Sequence, residues 1–144
     1  IIVDSQDVTD ELRNREVESA VSWSSRLPEV RRAMVTLQRT LAVEGKIVMA
    51  GRDIGTVVLP DADMKIFLTA SPERRARRRQ IDMEGDGRIL SIAQVLAGLS
   101  QRDQMDTQRA DSPLEVGKGA HIMNTERLSL HQVVERIMAL MEVQ

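Results

Sequence analysis

The sequence predicts an α/β fold in which helices alternate with strands of a parallel sheet. Two short, almost continuously apolar runs, KIVMA at residues 46–50 and MKIFLTA at residues 64–70, are bounded by turn residues. Such runs are typical of strands that are buried on both faces. Amphipathic helix patterns precede and follow them. Because parallel strands need crossover connections, the alternation indicates a parallel sheet with helices on both of its faces.

Length and composition favour one globular domain. The 144 residues are 42% hydrophobic and 29% charged, with no cysteine and two histidines, His121 and His131. No apolar run approaches the roughly 18–20 residues of a bilayer span, and no positively charged leader precedes a short apolar stretch. We therefore expect a single domain over residues 1–144, a cytoplasmic location, no membrane partner, and no disulfide or histidine-based metal centre.

The charge pattern is more informative than the formal net charge of −2, which argues against general affinity for polyanions. Of the 20 basic residues, 17 are arginines, and the planar guanidinium binds carboxylate or phosphate with two hydrogen bonds. A genome rich in G and C explains the same bias. Trp23 and Phe67 are the aromatic residues, which leaves little for base stacking, so nucleic acid is not an expected partner.

The first 45 residues predict two helices. Apolar residues recur at helical spacing from about residue 8 to residue 27. Pro28 suits the first turn of a second helix, which Gly45 ends. One face of this helix carries Val30, Met34, Leu37 and Leu41. Their spacing of i, i+4, i+7 and i+11 predicts a helix with one apolar face.

The second half of the chain predicts three helices and one further strand. Ser71 and Pro72 are typical of a helix start, and the glycines at 85 and 87 end that helix. Another helix is predicted from about residue 90 to residue 110, and a strand over residues 120–123. Ser129 to Gln132 is a capping box that opens the last helix. The expected buried stripe of that helix is Leu130, Val133, Val134, Ile137, Leu140 and Met141.

The helix from about residue 90 carries a stripe that changes from apolar to charged. The apolar members are Ile92, Val95, Leu96 and Leu99, and the charged members are Arg102, Asp103, Asp106 and Arg109. Because an unpaired buried charge is costly, these groups must pair with one another, line a cleft or bind a polar ligand. A helix end that leaves the core and forms surface ion pairs explains the pattern equally well.

Residues 51–56, with the sequence GRDIGT, follow the first apolar run at its carboxyl end. Open α/β sheets bind their ligands at that edge. Arg52 offers donors to a phosphate, and Asp53 offers an acceptor to an amine. A tight turn with a solvated ion pair is the alternative interpretation.

A run of arginines lies in the helix that begins after Ser71. Its members are Arg74, Arg75, Arg77, Arg78 and Arg79. Positive charge at this density suits a polyphosphate or the charge that develops in phosphoryl transfer. A solvated basic helix face is the alternative. The phosphate-loop pattern G-x-x-x-x-G-K-[ST] does not occur in these 144 residues.

Together these segments resemble the bacterial cytidylate kinases, which are nucleoside monophosphate kinases that transfer the γ-phosphate of ATP to CMP or dCMP. The blocks that carry the resemblance are DVT at 7–9, GRDIGTVVLPDAD at 51–63, KIFLTAS at 65–71, RDQMDTQR at 102–109 and SPL at 112–114. Their order and spacing are highly specific, and the match runs nearly from end to end.

The resemblance implies a P-loop nucleoside monophosphate kinase-like fold that is incomplete at its N-terminus, because in the family a phosphate-binding loop precedes the matched region. It divides the single domain into four parts. These are an NMP-binding part at 1–45, core strands at 46–70, a lid at 71–90, and C-terminal core helices with a strand at 91–144.

The resemblance also implies roles for individual residues. Ser22, Arg31 and Asp53 would read the cytosine edge, and Asp53 would accept a hydrogen bond from the exocyclic amine. A carboxylate at that position selects cytosine over uracil, whose carbonyl would face it acceptor to acceptor. Arg102 and Asp106 would bind the sugar hydroxyls.

The remaining implied roles concern phosphate. Arg52 and Arg109 would bind the phosphate of CMP. The lid arginines Arg75, Arg78 and Arg79 would close over the transferring phosphoryl group and exclude water.

The function that the resemblance implies is that of a (d)CMP kinase with Mg-ATP as its co-substrate. CMP, dCMP and ATP are the expected partners, and we expect a monomer without metal ligands or a cofactor-binding loop in this chain. Two alternatives remain open at this point. One is a catalytically incomplete CMP-binding fragment, and the other is an RNA-binding or regulatory module that uses the arginine-rich helix.

Overall fold

The chain folds as two units, Ile1–Val48 and Met49–Gln144. The computed structural model describes residues 1–85, 87–108 and 112–142, without the side chains of residues 13, 15, 18, 19 and 22. The single domain and its four parts stay predictions.

Unit 1 begins with a hairpin of two antiparallel strands, β1 (Ile2–Val3) and β2 (Gln6–Asp7). The turn residues Asp4 and Ser5 have φ values of 48° and 65°. Positive φ at both central residues is the geometry that matches the twist of a two-residue hairpin. A 3-10 turn, Glu11–Arg13, follows the hairpin.

Two helices complete unit 1 and confirm the predicted helices in this part of the chain. Helix α1 (Arg15–Ser24) begins after Asn14, whose side chain accepts a hydrogen bond of 2.8 Å from the amide of Val17. Helix α2 (Pro28–Ala42) begins at Pro28, as the sequence predicts.

The predicted apolar stripe of α2 is present, and it is exposed. The exposed fractions rise from 36% at Val30 to 61% at Leu41, and none of the described residues of α2 is buried. The spacing of apolar residues specifies which face of a helix is apolar. Burial also requires a second surface, and the described elements of unit 1 do not cover this face.

Unit 2 contains a parallel sheet of two described strands, β3 (Ile66–Thr69) and β4 (His121–Asn124). Ile66 lies opposite His121 and Thr69 opposite Asn124. The predicted combination of helices with a parallel sheet is therefore confirmed. The placement of helices on both faces and the P-loop-like arrangement stay predictions.

Residues 46–50 form no strand in the described structure, so that prediction is wrong. Lys46 has a φ of 54°, and Val48 is 93% exposed. A strand exists through its hydrogen bonds to a neighbour. Neither described sheet includes a partner for this segment, and its apolar composition alone cannot replace one.

Helix α3 begins at its predicted signal, and helix α4 begins close to its predicted start. Helix α3 (Pro72–Gly85) follows Ser71, whose hydroxyl accepts a hydrogen bond of 3.1 Å from the amide of Arg74. Helix α4 (Ile92–Thr107) begins with a capping box of Ser91 and Gln94, and α3 packs against it.

Helix α5 (Leu130–Glu142) begins with the predicted capping box of Ser129 and Gln132. Its packed face is narrower than the predicted stripe. Val133 is buried and Ile137 and Leu140 are half-buried, whereas Leu130, Val134 and Met141 are exposed. Among the described residues of unit 2, the buried apolar side chains are Val58, Ala76, Val95, Met123 and Val133. Among the described residues, no helix has the length and apolar character needed to cross a membrane.

Candidate functional site

The GRDIGT segment folds as a bend followed by one turn of π-helix, Ile54–Val58. The carbonyl of Asp53 accepts hydrogen bonds from the amides of Val57 at 2.9 Å and Val58 at 3.2 Å. Val58 is only 2% exposed and anchors the turn in the core of unit 2. Single π turns occur frequently at functional sites. Here the turn fixes the backbone directly after Arg52.

The loop that contains Gly117 packs against the backbone of this turn. A Cβ atom added at Gly117 would lie 2.7 Å from the carbonyl oxygen of Gly55. Real Cβ atoms do not approach an oxygen so closely, so only glycine permits this contact between the two backbones.

Charged side chains from three segments of unit 2 meet beside this turn. They form the arginine–aspartate cluster, which consists of Arg52, Arg75, Arg102, Asp103 and Asp106. Arg52 precedes the π turn, Arg75 lies on α3, and the other three members lie on α4. The packing of α3 against α4 brings the last two segments together.

The pairs within the cluster are close and form a chain. The Nη1 atom of Arg52 donates a hydrogen bond to Oδ2 of Asp106 and lies 3.6 Å from Oδ1 of Asp103. Arg75 donates from Nη2 to Oδ2 of Asp103 at 2.6 Å. The Nε atom of Arg102 lies 4.0 Å from Oδ2 of Asp106. The two aspartates of the charged stripe of α4 therefore pair mainly with arginines of other segments. The Arg102–Asp106 pair lies within α4 and spans one turn of the helix.

Burial and charge make the cluster suited to an anion. The side chain of Asp106 is 13% exposed and that of Arg52 is 29% exposed, whereas that of Arg102 is 55% exposed. Three guanidiniums against two carboxylates leave an excess of positive charge. Charge pairs in a partly dry site interact more strongly than the same pairs in water, and a phosphate can exchange with a carboxylate on an arginine fork.

The pKa of Asp103 reports on this environment. Partial burial is the largest single influence and raises the pKa. The hydrogen bond and charge of Arg75, followed by those of Arg52, act in the opposite direction and together hold the pKa of this carboxyl below its ordinary value. Asp103 therefore stays ionised at neutral pH and bridges the two arginines.

Two further predicted lid residues, Arg78 and Arg79, also lie on α3. Arg78 is half-buried and donates to Thr125 and Leu128 in the loop after β4. Arg79 is also half-buried. Neither belongs to the arginine–aspartate cluster, whose contribution from this helix is Arg75.

The predicted cytosine-reading residues are not all within one unit. Asp53 lies in unit 2, half-buried and next to Arg52 in the chain. Ser22 lies in α1 of unit 1, and its side chain is outside the described part of the structure. Arg31 lies in α2, where it donates from Nη1 to the carbonyl of Ser25 at 3.5 Å.

Arg109, the remaining predicted phosphate ligand, lies outside the described residues. It follows the C-terminal end of α4 in the chain.

Sequence reasoning missed two contributors to this part of the fold. The sequence places Asp103 in the charged stripe but indicates no role for it, although its position one turn before Asp106 is a usable signal. Glu126 accepts hydrogen bonds from the amide of Ser71 at 2.7 Å and from its hydroxyl at 3.0 Å. These two hydrogen bonds, the amide one first, hold the pKa of Glu126 below its ordinary value. A lone acidic residue after a strand carried no signal for this contact.

No group of three acidic or histidine side chains that could hold a metal ion occurs in the part of the chain that the structure describes. The carboxylates of the cluster face arginines. The described residues of the cluster therefore do not offer the donor set of a metal centre.

The family model described as cytidylate kinase matches residues 1–143. The chain is similar to the cytidylate kinase of Pelotomaculum thermopropionicum, with 47% identity over 96% of this chain and 62% of that protein. It is also similar to the cytidylate kinase of Desulfitobacterium hafniense, with 48% identity over 97% of this chain and 60% of that protein. It is similar as well to the cytidylate kinase of Rhodococcus opacus, with 46% identity over 96% of this chain and 61% of that protein. The chain thus spans about three-fifths of the length of these relatives.

Proposed function

Because the chain belongs to the cytidylate kinase family, we propose that it binds CMP or dCMP as the phosphoryl acceptor of a kinase reaction. ATP donates the γ-phosphate, and the products are CDP or dCDP and ADP. The reaction as a whole is part of this proposal, since the chain spans about three-fifths of the length of the relatives it matches. The observation that carries the proposal is the arginine–aspartate cluster.

The sugar and the phosphate of a nucleoside monophosphate are joined directly, so residues that bind them must lie close together. Arg52, the proposed phosphate ligand, and Arg102, a proposed sugar ligand, both face Oδ2 of Asp106. The Asp106 carboxylate is a suitable acceptor for a sugar hydroxyl. This convergence of three segments supports one binding site for both groups, and we propose that Arg109 adds to its phosphate end.

The transfer step needs positive charge more than it needs a base. In phosphoryl transfer the protein mainly aligns the reactants and neutralises the charge that develops on the phosphoryl oxygens. We assign this role to Arg52, Arg75 and Arg79. Asp103 holds Arg75 at 2.6 Å and lies 3.6 Å from Arg52, so two of these guanidiniums are already ordered before a phosphate arrives.

Selection of cytosine rests on Asp53, with Ser22 and Arg31 as further contacts to the base. Asp53 accepts from the exocyclic amine of cytosine and rejects the carbonyl of uracil. Its backbone is fixed by the π turn, as hydrogen bonds of 2.9 Å and 3.2 Å to its carbonyl indicate.

Mg²⁺ accompanies ATP in the proposed reaction, and it would neutralise part of the triphosphate charge. No described residue of this chain is assigned as its ligand, since no suitable group of side chains occurs among them. Cytoplasmic location and a monomeric state are further proposals from the sequence.

The direct test is CDP formation by this chain with ATP and Mg²⁺, with CMP as the acceptor and UMP as the control at equal salt. We expect turnover of CMP well above turnover of UMP. Asp53→Asn should reduce the preference for CMP over UMP, because an amide can turn its donor towards uracil. Equal rates for the two nucleotides would contradict the assigned specificity.

A second candidate function is CMP binding without turnover by this chain alone. The coverage of 60–62% in the two relatives above favours it. Saturable CMP binding without CDP formation would select this candidate. The RNA-binding alternative is less well supported, because Arg75 and Arg78 are engaged within the chain.

A further inference from the structure

Arg78 uses different acceptors from those of Arg75 on the same helix. Its Nη1 donates to Oγ1 of Thr125 at 3.0 Å, and its Nη2 donates to the carbonyls of Thr125 at 2.6 Å and Leu128 at 3.3 Å. All three acceptors lie in residues 125–128, which we call the β4 loop. Hydrogen bonds from a charged donor are roughly twice as strong as neutral ones, so this contact set is a substantial link between α3 and the loop.

The β4 loop is joined to the start of α3 by a second set of contacts. Thr125 donates from its amide at 2.8 Å and from its hydroxyl at 3.1 Å to the carbonyl of Thr69, at the end of β3. Glu126 accepts from the amide and hydroxyl of Ser71. The loop therefore contacts α3 before its first turn and again at Arg78.

Arg75 lies one turn before Arg78 on α3 and donates to Asp103 at 2.6 Å. A helix held at Ser71 and at Arg78 cannot rotate or shift between these points without breaking several hydrogen bonds. The position of the Arg75 guanidinium therefore depends on Arg78, although the two side chains use different acceptors.

We propose that Arg78 is a positioning residue that fastens α3 to the β4 loop and thereby holds Arg75 at the arginine–aspartate cluster. This replaces a direct contact of Arg78 with the transferring phosphoryl group. The structural part of the proposal stands without any catalytic activity. The kinetic part rests on the proposed function.

Arg77 provides a matched control, because it is the neighbouring arginine on the same helix and is exposed. Replacing either residue by glutamine removes one positive charge from α3. Only Arg78→Gln removes the donors to the β4 loop. A difference between the two variants therefore reports on those hydrogen bonds and not on net charge or helix propensity.

The first test is amide hydrogen exchange of the full chain, measured for wild type, Arg78→Gln, Arg78→Lys and Arg77→Gln. In Arg78→Gln we expect exchange about tenfold faster in the first turns of α3 and in the β4 loop, with α5 unchanged. Arg78→Lys keeps the charge and some donors, so its exchange should be intermediate. It also provides the comparison if the glutamine variant does not fold. Unchanged exchange in Arg78→Lys and Arg78→Gln, or the same increase in Arg77→Gln, would overturn the proposal.

The second test is kinetic and uses the CDP assay described above, with CMP as the acceptor. If Arg78 acts through Arg75, Arg78→Lys should lower kcat with little change in KM for CMP, and should have no further effect in an Arg75→Ala background. Losses that multiply in the double variant would mean an independent contact with the reacting groups and would overturn the proposal. Absence of CDP formation by the wild type would count against the proposed function, and hydrogen exchange would still decide the role of Arg78.

Discussion

One ion pair from each unit of this chain shows two opposite ways of pairing charge. In unit 1, Arg32 and Glu29 form an ion pair of 3.0 Å along one face of α2, with side chains that are 68% and 76% exposed. In unit 2, Arg52 pairs with Asp106, which lies 54 residues further along the chain, and their side chains are 29% and 13% exposed. Local pairs of this exposed kind contribute little, whereas pairing between distant segments in a shielded place builds a site.

The units also differ in what becomes of a periodic apolar pattern. The apolar stripe of α2 and the apolar stripe of α4 are equally regular in sequence, yet the first is exposed and the second has Val95 buried at 5% exposure. The difference is that α4 packs against α3. A periodic apolar pattern thus predicts which face of a helix is apolar. Whether that face is buried depends on a neighbouring element that packs against it.

The largest expected effect comes from Arg52→Ala. In the protein that forms CDP we expect kcat/KM for CMP to fall by about 100-fold or more, because a guanidinium that neutralises phosphoryl oxygens is lost. Arg32→Ala removes the same charge from the exposed pair of unit 1, and its kcat/KM should be unchanged. An equal loss of activity in both variants would contradict the claim that the shielded pair, and not the exposed one, belongs to the site.

A pair of glycine substitutions tests the close backbone contact at the π turn. Gly117→Ala should lower the free energy of unfolding by about 1–3 kcal/mol, since its Cβ would lie 2.7 Å from the carbonyl of Gly55. In Gly98→Ala, on α4, the added Cβ meets nothing within 4 Å, and alanine should raise the free energy of unfolding by up to about 1 kcal/mol. Urea unfolding measures both. A Gly117→Ala variant as stable as the wild type, or a Gly98→Ala variant less stable than the wild type, would contradict the described packing.

The smallest effect is the pH dependence contributed by Asp103. Its pKa in the folded protein lies below the ordinary value of 3.8, so the ionised form stabilises the fold. This stability is fully present above the unfolded pKa and is lost as the pH falls through the folded pKa. From about pH 6 to about pH 3, wild type should therefore lose more unfolding free energy than Asp103→Asn, by about 1 kcal/mol or less.

Asp82→Asn removes a carboxyl from the exposed surface of α3 and serves as the control for this profile. Its stability should follow that of the wild type across the same pH range. Parallel profiles for all three proteins would show that Asp103 does not bridge Arg52 and Arg75.

Much of the local structure could be predicted from the sequence, because its signals are local. Pro28, Ser71 and Ser129 each precede or open a helix as predicted. The failure at residues 46–50 has a different origin, since a strand needs hydrogen bonds to a neighbour and no local signal supplies one.

The candidate site was predictable to a similar degree. The resemblance directed attention to Arg52, Arg75, Arg102 and Asp106, and the structure brings these four together. The contacts of Asp103 and Arg78 could not be predicted, because they join groups far apart in the chain. Asp103 lies beside Arg52, and Arg78 donates to Thr125 and Leu128. The sequence indicates which residues are charged, and the packing of α3 decides which acceptors they reach.

The central claim is that the arginine–aspartate cluster binds a nucleoside monophosphate. The most direct measurement is a calorimetric titration of this chain and of Asp106→Asn with CMP, with UMP as the control at equal salt and circular dichroism to verify folding. We predict saturable binding of CMP by the wild type, much weaker binding of UMP, and CMP binding at least about tenfold weaker in Asp106→Asn. Folded wild-type chain that does not bind CMP, or a folded Asp106→Asn that binds it equally well, would contradict the claim.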